Sequence, residues 1–483
     1  MKFKQFYLGC LAHASYYLSS NGEAAVIDPQ RDVTQYLDEA EANGDKIKYV
    51  IETHSHADFV SGHVELAKKT GAKIIFGQRA NTEFETLKVK DGDELSLGDI
   101  NLKFLETPGH TPEGITILAE ERSRDTPVPT DAASALEMPS ADNRSAADMS
   151  GRSPIKMFTG DTLFIGDVGR PDLIGSKGFT AEQMGSMLYD SLHEKILPLP
   201  DDTLVYPAHG AGSLCGKSLS SETFSTLGEQ RRTNYALRPM SREEFIKAVA
   251  SDQPEVPAYF PVSASQNLKG SADLADIPKP ERLDSEQIAN FDGVVIDVRP
   301  DTQYGAGHVP NSINIGLGGQ FASWAGTLIP VGTPIAIVAE TGEQVDEAVM
   351  RLARVGEESV KRSILIADFA GDKKVVEQVA VDQVAKELNG DVQFVDVRRP
   401  AEHACGHAVN TLNIPLNTLS REIDRLNPDK PTYVICQSGY RSSLGTSILE
   451  NAGFEQVYNV TGGTKAWLEA GLPSEETAAK AAS

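Results

Sequence analysis

The chain has 483 residues, too long for one ordinary core, and at roughly 100 to 200 residues per domain about three domains are expected. Hydrophobic residues make up 40% and charged residues 24%, and no stretch of about 20 apolar residues occurs, so a globular protein rather than a membrane protein is expected. Sixty-nine acids against 45 Lys plus Arg leave a net charge of −24, which disfavours a nucleic-acid partner and makes any anion site depend on locally placed donors.

The first residues, MKFKQFYLGCLAHASYYLSS, hold no sustained apolar region of a signal peptide and run into GEAAVIDP, which reads as strand and turn. Cys10, Cys215, Cys405 and Cys436 are scattered, with no CxxC pair, so neither a disulfide framework nor a structural zinc site is suggested and a cytoplasmic location fits. IKYVI at 47–51 reads as a strand, THSHADFVSGH follows as a turn, and VELAKKT continues as a helix that stops at Gly71. Further strands are expected at 73–76, 101–105, 115–118, 156–159 and 203–206, which suggests layered sheets with helices outside. Residues 121–154, rich in Pro, Ser, Asp and Ala, read as a mobile insertion.

Several turns after strands carry metal-ligand chemistry. THSHAD supplies His54, His56 and Asp58, TPGHT supplies His110, FTGD supplies Asp161 and YPAHG supplies His209. Imidazole with carboxylate and no thiolate suits catalytic zinc or iron rather than a structural zinc. His63 falls in the following helix and reads as a surface or packing residue.

HxHxD, TPGHT, TGD and PAH, in this order over about residues 1–240, resemble the metallo-β-lactamase fold. Its dinuclear hydrolases carry HxHxDH; here the last position is Phe59, which cannot ligate, so the resemblance implies one metal. HADFVSGH with FTGDTLFIGDVGRPDL is similar to the persulfide dioxygenases of this fold, and implies one Fe(II) per chain, with zinc as the alternative. By that resemblance His54, His110 and Asp161 are the ligands, while His56, Asp58 and His209 orient ligands and bound water. Arg170 and Cys215 match positions near the thiol substrate, although Gly210 and Ala211 after PAH depart from the glutathione-using relatives.

The second half repeats itself. VVIDVRPDTQYGAGHVPNSINI (294–315) matches QFVDVRRPAEHACGHAVNTLNI (393–414) at a constant offset of 99, which implies two α/β domains of one fold. In VICQSGYRSSLGTSIL a strand ends at Cys436, and a turn with Gly439 and Arg441 precedes a helix, an arrangement that lowers a thiol pKa and holds an anion. CxxGxR with VDVR, GH and GGTKAW resembles a rhodanese domain. The earlier copy reads PIAIVAETGEQVDEA, holds no cysteine and puts Glu340 near the Cys436 position, so it is expected to be catalytically inert. Cys10 and Cys405 lie outside such a loop, and Cys405 reads as a packing residue.

The expected architecture is α/β multidomain: a metallo-β-lactamase αβ/βα sandwich at 1–258, an inactive rhodanese-like domain at 259–370 and an active rhodanese at 376–473. The resemblance implies oxidation of a low-molecular-weight persulfide by O2 to sulfite and thiol, with sulfane sulfur passing through Cys436 to or from thiosulfate. The competing reading is a dinuclear zinc thioester hydrolase of the glyoxalase II type fused to a sulfurtransferase. Membrane association is not expected, and a homo-oligomer is left open.

Overall fold

The computed structural model describes residues 1–122, 153–173, 178–217, 219–251, 253, 255–388 and 390–476, so the insertion expected at 121–154 lies almost wholly outside them. The chain divides into two compact units, Met1–Asp276 with Arg354–Gly356, and Ile277–Ala353 with Glu357–Ser483. Among the described residues no helix is long and apolar enough to cross a membrane.

The first unit is a sandwich of two six-stranded sheets with helices on the outer faces. One sheet takes Lys2–Leu8, His13–Ser20, Glu23–Ile27, Lys46–Ile51, Lys73–Gly77 and Leu87–Val89 in spatial order, antiparallel over the first three strands and parallel beyond. The other runs Ser225–Thr226, Leu204–Pro207, Lys156–Gly160, Ile115–Glu121, Ile100–Glu106 and Glu94–Leu97.

Strand alternation sends Tyr16, Leu18, Ala25, Ile27 and Ile51 inward against Phe104, Ile117, Phe158 and Tyr206 of the opposite sheet. It sends Tyr17, Ala24, Val26 and Val50 outward, under Tyr36, Ala40 and Leu66 of helices Thr34–Asn43 and His63–Thr70. Burial on both faces is why Glu23–Ile27 and Lys46–Ile51 are so poor in alternating polar residues. Truncating Phe158, fully buried between the sheets, would cost about 3–5 kcal/mol. On the second sheet's outer face, Leu188, Leu227 and Phe245 belong to helices Ala181–Asp190, Leu227–Thr233 and Arg242–Ala250.

The first unit also takes in helix Phe260–Lys269, which the sequence boundary at 258 gives to the following domain. Asn267 on this helix accepts from Ser61 N–H and donates to the carbonyls of His56 and Phe59, fastening the helix to the turn that follows His54.

The second unit holds two five-stranded parallel sheets of identical strand order. One is Glu281–Arg282, Val360–Leu365, Ile335–Ala339, Val294–Asp297 and Ser312–Asn314; the other is Glu377–Ala380, Val457–Thr461, Thr432–Ile435, Gln393–Asp396 and Leu412–Asn413. The repeated sequence is therefore a repeated fold, and its shared residues are structural. Arg299 and Arg398 each donate to the aspartate two positions earlier and to the carbonyl before the GH histidine, Gly307 and Gly406. Asn314 and Asn413 bridge the corresponding backbone carbonyls, at Asp297 and Arg299, and at Asp396 and Arg398.

Candidate active sites

In the first unit His54, His110, Asp161 and His209 all follow the carboxyl ends of strands, where side chains stand clear of the sheet ladder. Asp161 needs a tight approach: Gly160 has φ 52°, and a Cβ there would lie 2.5 Å from Thr53 Oγ1.

The structure brings His54, His110 and Asp161 together, one ligand atom from each lying within 4.8 Å of the others, all buried. Asp161 Oδ2 is 3.7 Å from His54 Nε2 and 3.4 Å from His110 Nε2. His54 Nε2 and Asp161 Oδ2 have no hydrogen-bond partner, an arrangement that leaves buried lone pairs directed at a cation. The opposite atoms are tied down. His110 Nδ1 lies 2.9 Å from the Arg170 carbonyl, to which it donates, leaving Nε2 as the free acceptor. His54 Nδ1 is 3.0 Å from Thr53 Oγ1, and Asp161 Oδ1 is 2.7 Å from His209 Nδ1. The donor set therefore fits a metal ion.

Burial pushes the His54 and His110 pKa values down, keeping both imidazoles neutral. Burial would raise Asp161, but the charge on His209 and its hydrogen bond outweigh it and hold the carboxylate well below its ordinary range. Burial also opposes charge on His209, yet Asp161 and Asp58, 2.7 and 2.8 Å from its two ring nitrogens, carry it well above the usual histidine value.

His56 stands outside this triad. Its Nε2 is 3.2 Å from Asp28 Oδ1 and 3.7 Å from Glu52 Oε2. His56, Asp58 and His209 form a second group whose ligand atoms also lie within 4.8 Å of one another. Phe59, 1% exposed, lies with its ring 4.5 Å from that of His56 and 4.0 Å from that of His13.

His13 is a residue that the motifs did not reveal. It is fully buried, its ring is 5.7 Å from His56 and 5.6 Å from His209, and both ring nitrogens lack a partner. A lone histidine in the apolar run LAHASYYL was the signal.

Arg170 is buried, and its guanidinium is committed: Nε and Nη2 each lie 2.7 Å from the Asp172 carboxylate, and Nη1 donates to the Leu214 carbonyl. Cys215, also buried, can bring its sulfur within 4.8 Å of Asp161 and His209, and burial, with Asp58 and Asp161, pushes its thiol well up. His63 is buried and packs its ring against Phe76 and Phe84.

In the second unit Cys436 follows strand Thr432–Ile435, and the chain then turns through Gly439, at φ 114°, into helix Tyr440–Asn451. The buried sulfur accepts from Gly439 N–H at 3.1 Å and faces the Ser442 hydroxyl at 3.4 Å. Ser442 is a second residue that the motif reading did not single out. Arg441 binds Glu402 in a two-pronged pair at 2.7 and 2.8 Å, which fixes the guanidinium beside the loop.

The strand register corrects one position in the inert copy. Asp297 pairs with Val338 as Asp396 pairs with Ile435, so Ala339, not Glu340, stands where Cys436 does. Glu340 and Thr341 alone separate Ala339 from helix Gly342–Ala353, two residues against three between Cys436 and its helix. Neither alanine nor glutamate can carry sulfane sulfur. Cys405, expected to pack, is instead exposed at the end of the short helix Pro400–Ala404, because that helix buries none of its residues.

Residues 8–124 match the metallo-beta-lactamase superfamily model, and residues 280–364 and 380–470 match the rhodanese-like domain model. A crystal structure of a metallo-beta-lactamase from Staphylococcus aureus is 31% identical, with TM-score 0.62, over 76% of this chain and 98% of that one. The chain belongs to the metallo-β-lactamase superfamily. It joins that domain to two rhodanese-like domains. The mitochondrial persulfide dioxygenase of Homo sapiens is 27% identical over 252 residues, 51% of this chain and 79% of that protein. The cytoplasmic hydroxyacylglutathione hydrolase of Arabidopsis thaliana is 32% identical over 211 residues, 43% of this chain and 67% of that protein.

Proposed function

We propose that this metallo-β-lactamase-fold protein oxidises a low-molecular-weight persulfide with O2 at a single ferrous ion, and moves sulfane sulfur through Cys436 of its last domain. The observation that carries the reading is the convergence of His54, His110 and Asp161, with His54 Nε2 and Asp161 Oδ2 unpartnered, beside a second group of His56, Asp58 and His209 in which the buried ring of Phe59 stands where the dinuclear hydrolases carry a further ligand. The overall reaction balances as RSSH + O2 + H2O → RSH + H2SO3.

Two histidines and one carboxylate leave coordination positions open, so iron bound there supplies the meeting point for sulfur and O2. The protein's part is orientation. His209 holds one oxygen of Asp161 and so turns the other toward His54 and His110. The Arg170 carbonyl fixes the His110 ring, while its guanidinium, braced by Asp172, steadies the loop that bears it. Cys215 lies beside Asp161 and His209. At the second site the Cys436 thiolate takes the sulfane sulfur of a persulfide and releases its thiol, Cys–S⁻ + RSSH → Cys–S–S⁻ + RSH, the Gly439 N–H and the helix start stabilise the resulting anion, and sulfite accepts the sulfur: Cys–S–S⁻ + SO3²⁻ → Cys–S⁻ + S2O3²⁻.

The grouping of His56, Asp58 and His209 favours a second reading, a dinuclear zinc thioester hydrolase, and the plant hydroxyacylglutathione hydrolase is a relative. Against it, Phe59 offers that group no ligand, and His209 Nδ1 is already bound to Asp161. Metal analysis of anaerobically purified protein, with O2 uptake and sulfite formation on adding a small-molecule persulfide, separates the two. About one iron per chain with sulfite matching oxygen supports oxygenation; two zincs with thioester hydrolysis and no oxygen uptake would install the hydrolase.

A further inference from the structure

The inert rhodanese copy has lost its sulfur-carrying residue yet keeps a complete fold, and several of its retained polar groups are turned toward the helix that begins at the active loop. Asn314 spends its amide N–H groups on its own copy and offers Oδ1 to the Ser443 hydroxyl at 2.6 Å, while its backbone N–H donates to Ser447 Oγ at 3.1 Å. His308 Nε2 reaches Glu450 at 2.8 Å. Residues 440, 443, 447 and 450 lie along one face of helix Tyr440–Asn451, so the inert copy grips the helix over most of its length.

The grip reaches the catalytic loop at Tyr440. This residue opens the helix, directly precedes Arg441 and stands two positions before Ser442, whose hydroxyl faces the Cys436 sulfur. Its O–H donates to the Gly316 carbonyl at 2.9 Å. Its ring lies on Gly319, where an added Cβ would come within 2.6 Å of two ring carbons. The seat is itself held: Arg351 donates to the carbonyls of Leu317 and Gly319, with its guanidinium over the Phe321 ring.

We propose that the inert copy is a positioning element for sulfur transfer, with Gly316 and Gly319 seating Tyr440 so that Cys436, Ser442 and Arg441 keep their mutual geometry. This rests on the reading of Cys436 as the sulfur carrier. Gly319 serves because no side chain separates its backbone from the ring, and its φ lies outside the left-handed range, so alanine there presses first on the Tyr440 ring, which supplies the three atoms nearest to the added Cβ.

The test uses the full chain and follows sulfur transfer from thiosulfate to cyanide, in which Cys436 thiolate displaces sulfite and cyanide then removes the sulfur as thiocyanate. Gly319→Ala is expected to lower kcat by about tenfold or more, with KM for thiosulfate within about twofold, because misplacing a reacting group costs turnover before binding. Tyr440→Phe, which removes only the bond to Gly316, is expected to lower kcat by about threefold. In a Tyr440→Ala background the further change Gly319→Ala is expected to have no added effect, since the ring it displaces is gone. Wild-type kcat in Gly319→Ala would overturn the proposal, and so would an equal loss in both backgrounds, which would mean that the damage does not pass through Tyr440. Cys436→Ser is the separate control: sulfur transfer surviving there would refute Cys436 as carrier, whereas its abolition with an unaffected Gly319→Ala would refute the positioning role alone.

Discussion

Asn267 carries a prediction that the ligand turn depends on a helix outside the metal motifs. The residue is 1% exposed, its Nδ2 donates to the carbonyls of His56 at 2.8 Å and Phe59 at 2.7 Å, and its Oδ1 accepts from Ser61 N–H at 2.8 Å. Alanine leaves two carbonyls and one N–H without a protein partner. At about 1–3 kcal/mol for each orphaned buried group, with partial relaxation, a loss of about 3–5 kcal/mol is expected. For a unit of this size that lowers the unfolding midpoint by roughly 10 °C. Asn267→Asp separates hydrogen bonding from packing: its volume is nearly unchanged, but it has no donors and sets a carboxylate against two carbonyls, so it should be at least as harmful as alanine. Thermal unfolding of the wild type and the two variants measures this, and metal content after dialysis reports whether the displaced turn still presents His54. An Asn267→Asp variant as stable as the wild type would refute the reasoning, because it would show that only the shape of the side chain matters.

His63 gives a pH dependence. Its pKa is pushed down to about 3, first by burial and then by the charges of Arg31 and His56. Glu52, whose carboxyl lies 3.4 Å away, is pushed well up by burial and by Asp28, and so stays protonated and offers little counter-charge. With the folded value depressed, the neutral ring's stability is fully present above the unfolded value of about 6.5 and is lost as pH falls toward the folded one. Between pH 6.5 and 5.5 the loss from this residue is about 1 kcal/mol, and His63→Leu should flatten that part of the stability curve; an unchanged slope would contradict the assignment. Phe59→His restores a ligand beside Asp58 and His209, so metal content should rise from about one ion per chain toward two in zinc-supplemented protein, as measured by elemental analysis. A ratio that stays at one would mean that Phe59 is not what limits the site.

The strands expected from apolar runs were legible because each buries at least one face: Lys46–Ile51, Lys73–Gly77, Ile100–Glu106, Ile115–Glu121 and Lys156–Gly160 stand close to where the sequence put them. The grouping of His54, His110 and Asp161 was legible through its turns, since each follows a recognisable strand end. Less visible were groups whose roles depend on distant parts of the chain. Asn267 lies 211 residues from His56, whose carbonyl it holds, and nothing in its local sequence marks it. Arg170 matches in sequence a position near the thiol substrate, but its guanidinium is turned to the aspartate two positions on through Nε and Nη2.

The rhodanese repeat shows why shared residues and functional residues must be separated. Asp297 and Asp396, Arg299 and Arg398, and Asn314 and Asn413 make the same internal hydrogen bonds in both copies, so their recurrence speaks for fold and says nothing of catalysis. What differs is the short segment after one central strand. There the active copy spends three residues between Cys436 and its helix, enough for Gly439 to turn its N–H onto the sulfur, and the inert copy has Ala339 in register with the cysteine and a shorter turn. A cysteine placed at 339 or 340 is therefore expected to confer no sulfur transfer in a Cys436→Ser chain, because the shorter turn supplies neither the Gly439-type donor nor an arginine at the start of the helix; transfer appearing there would contradict this reading. The loss is of a loop rather than of a single atom. A copy that has lost its loop while keeping Asn314, His308 and Gly319 against the active helix retains the parts that a support needs.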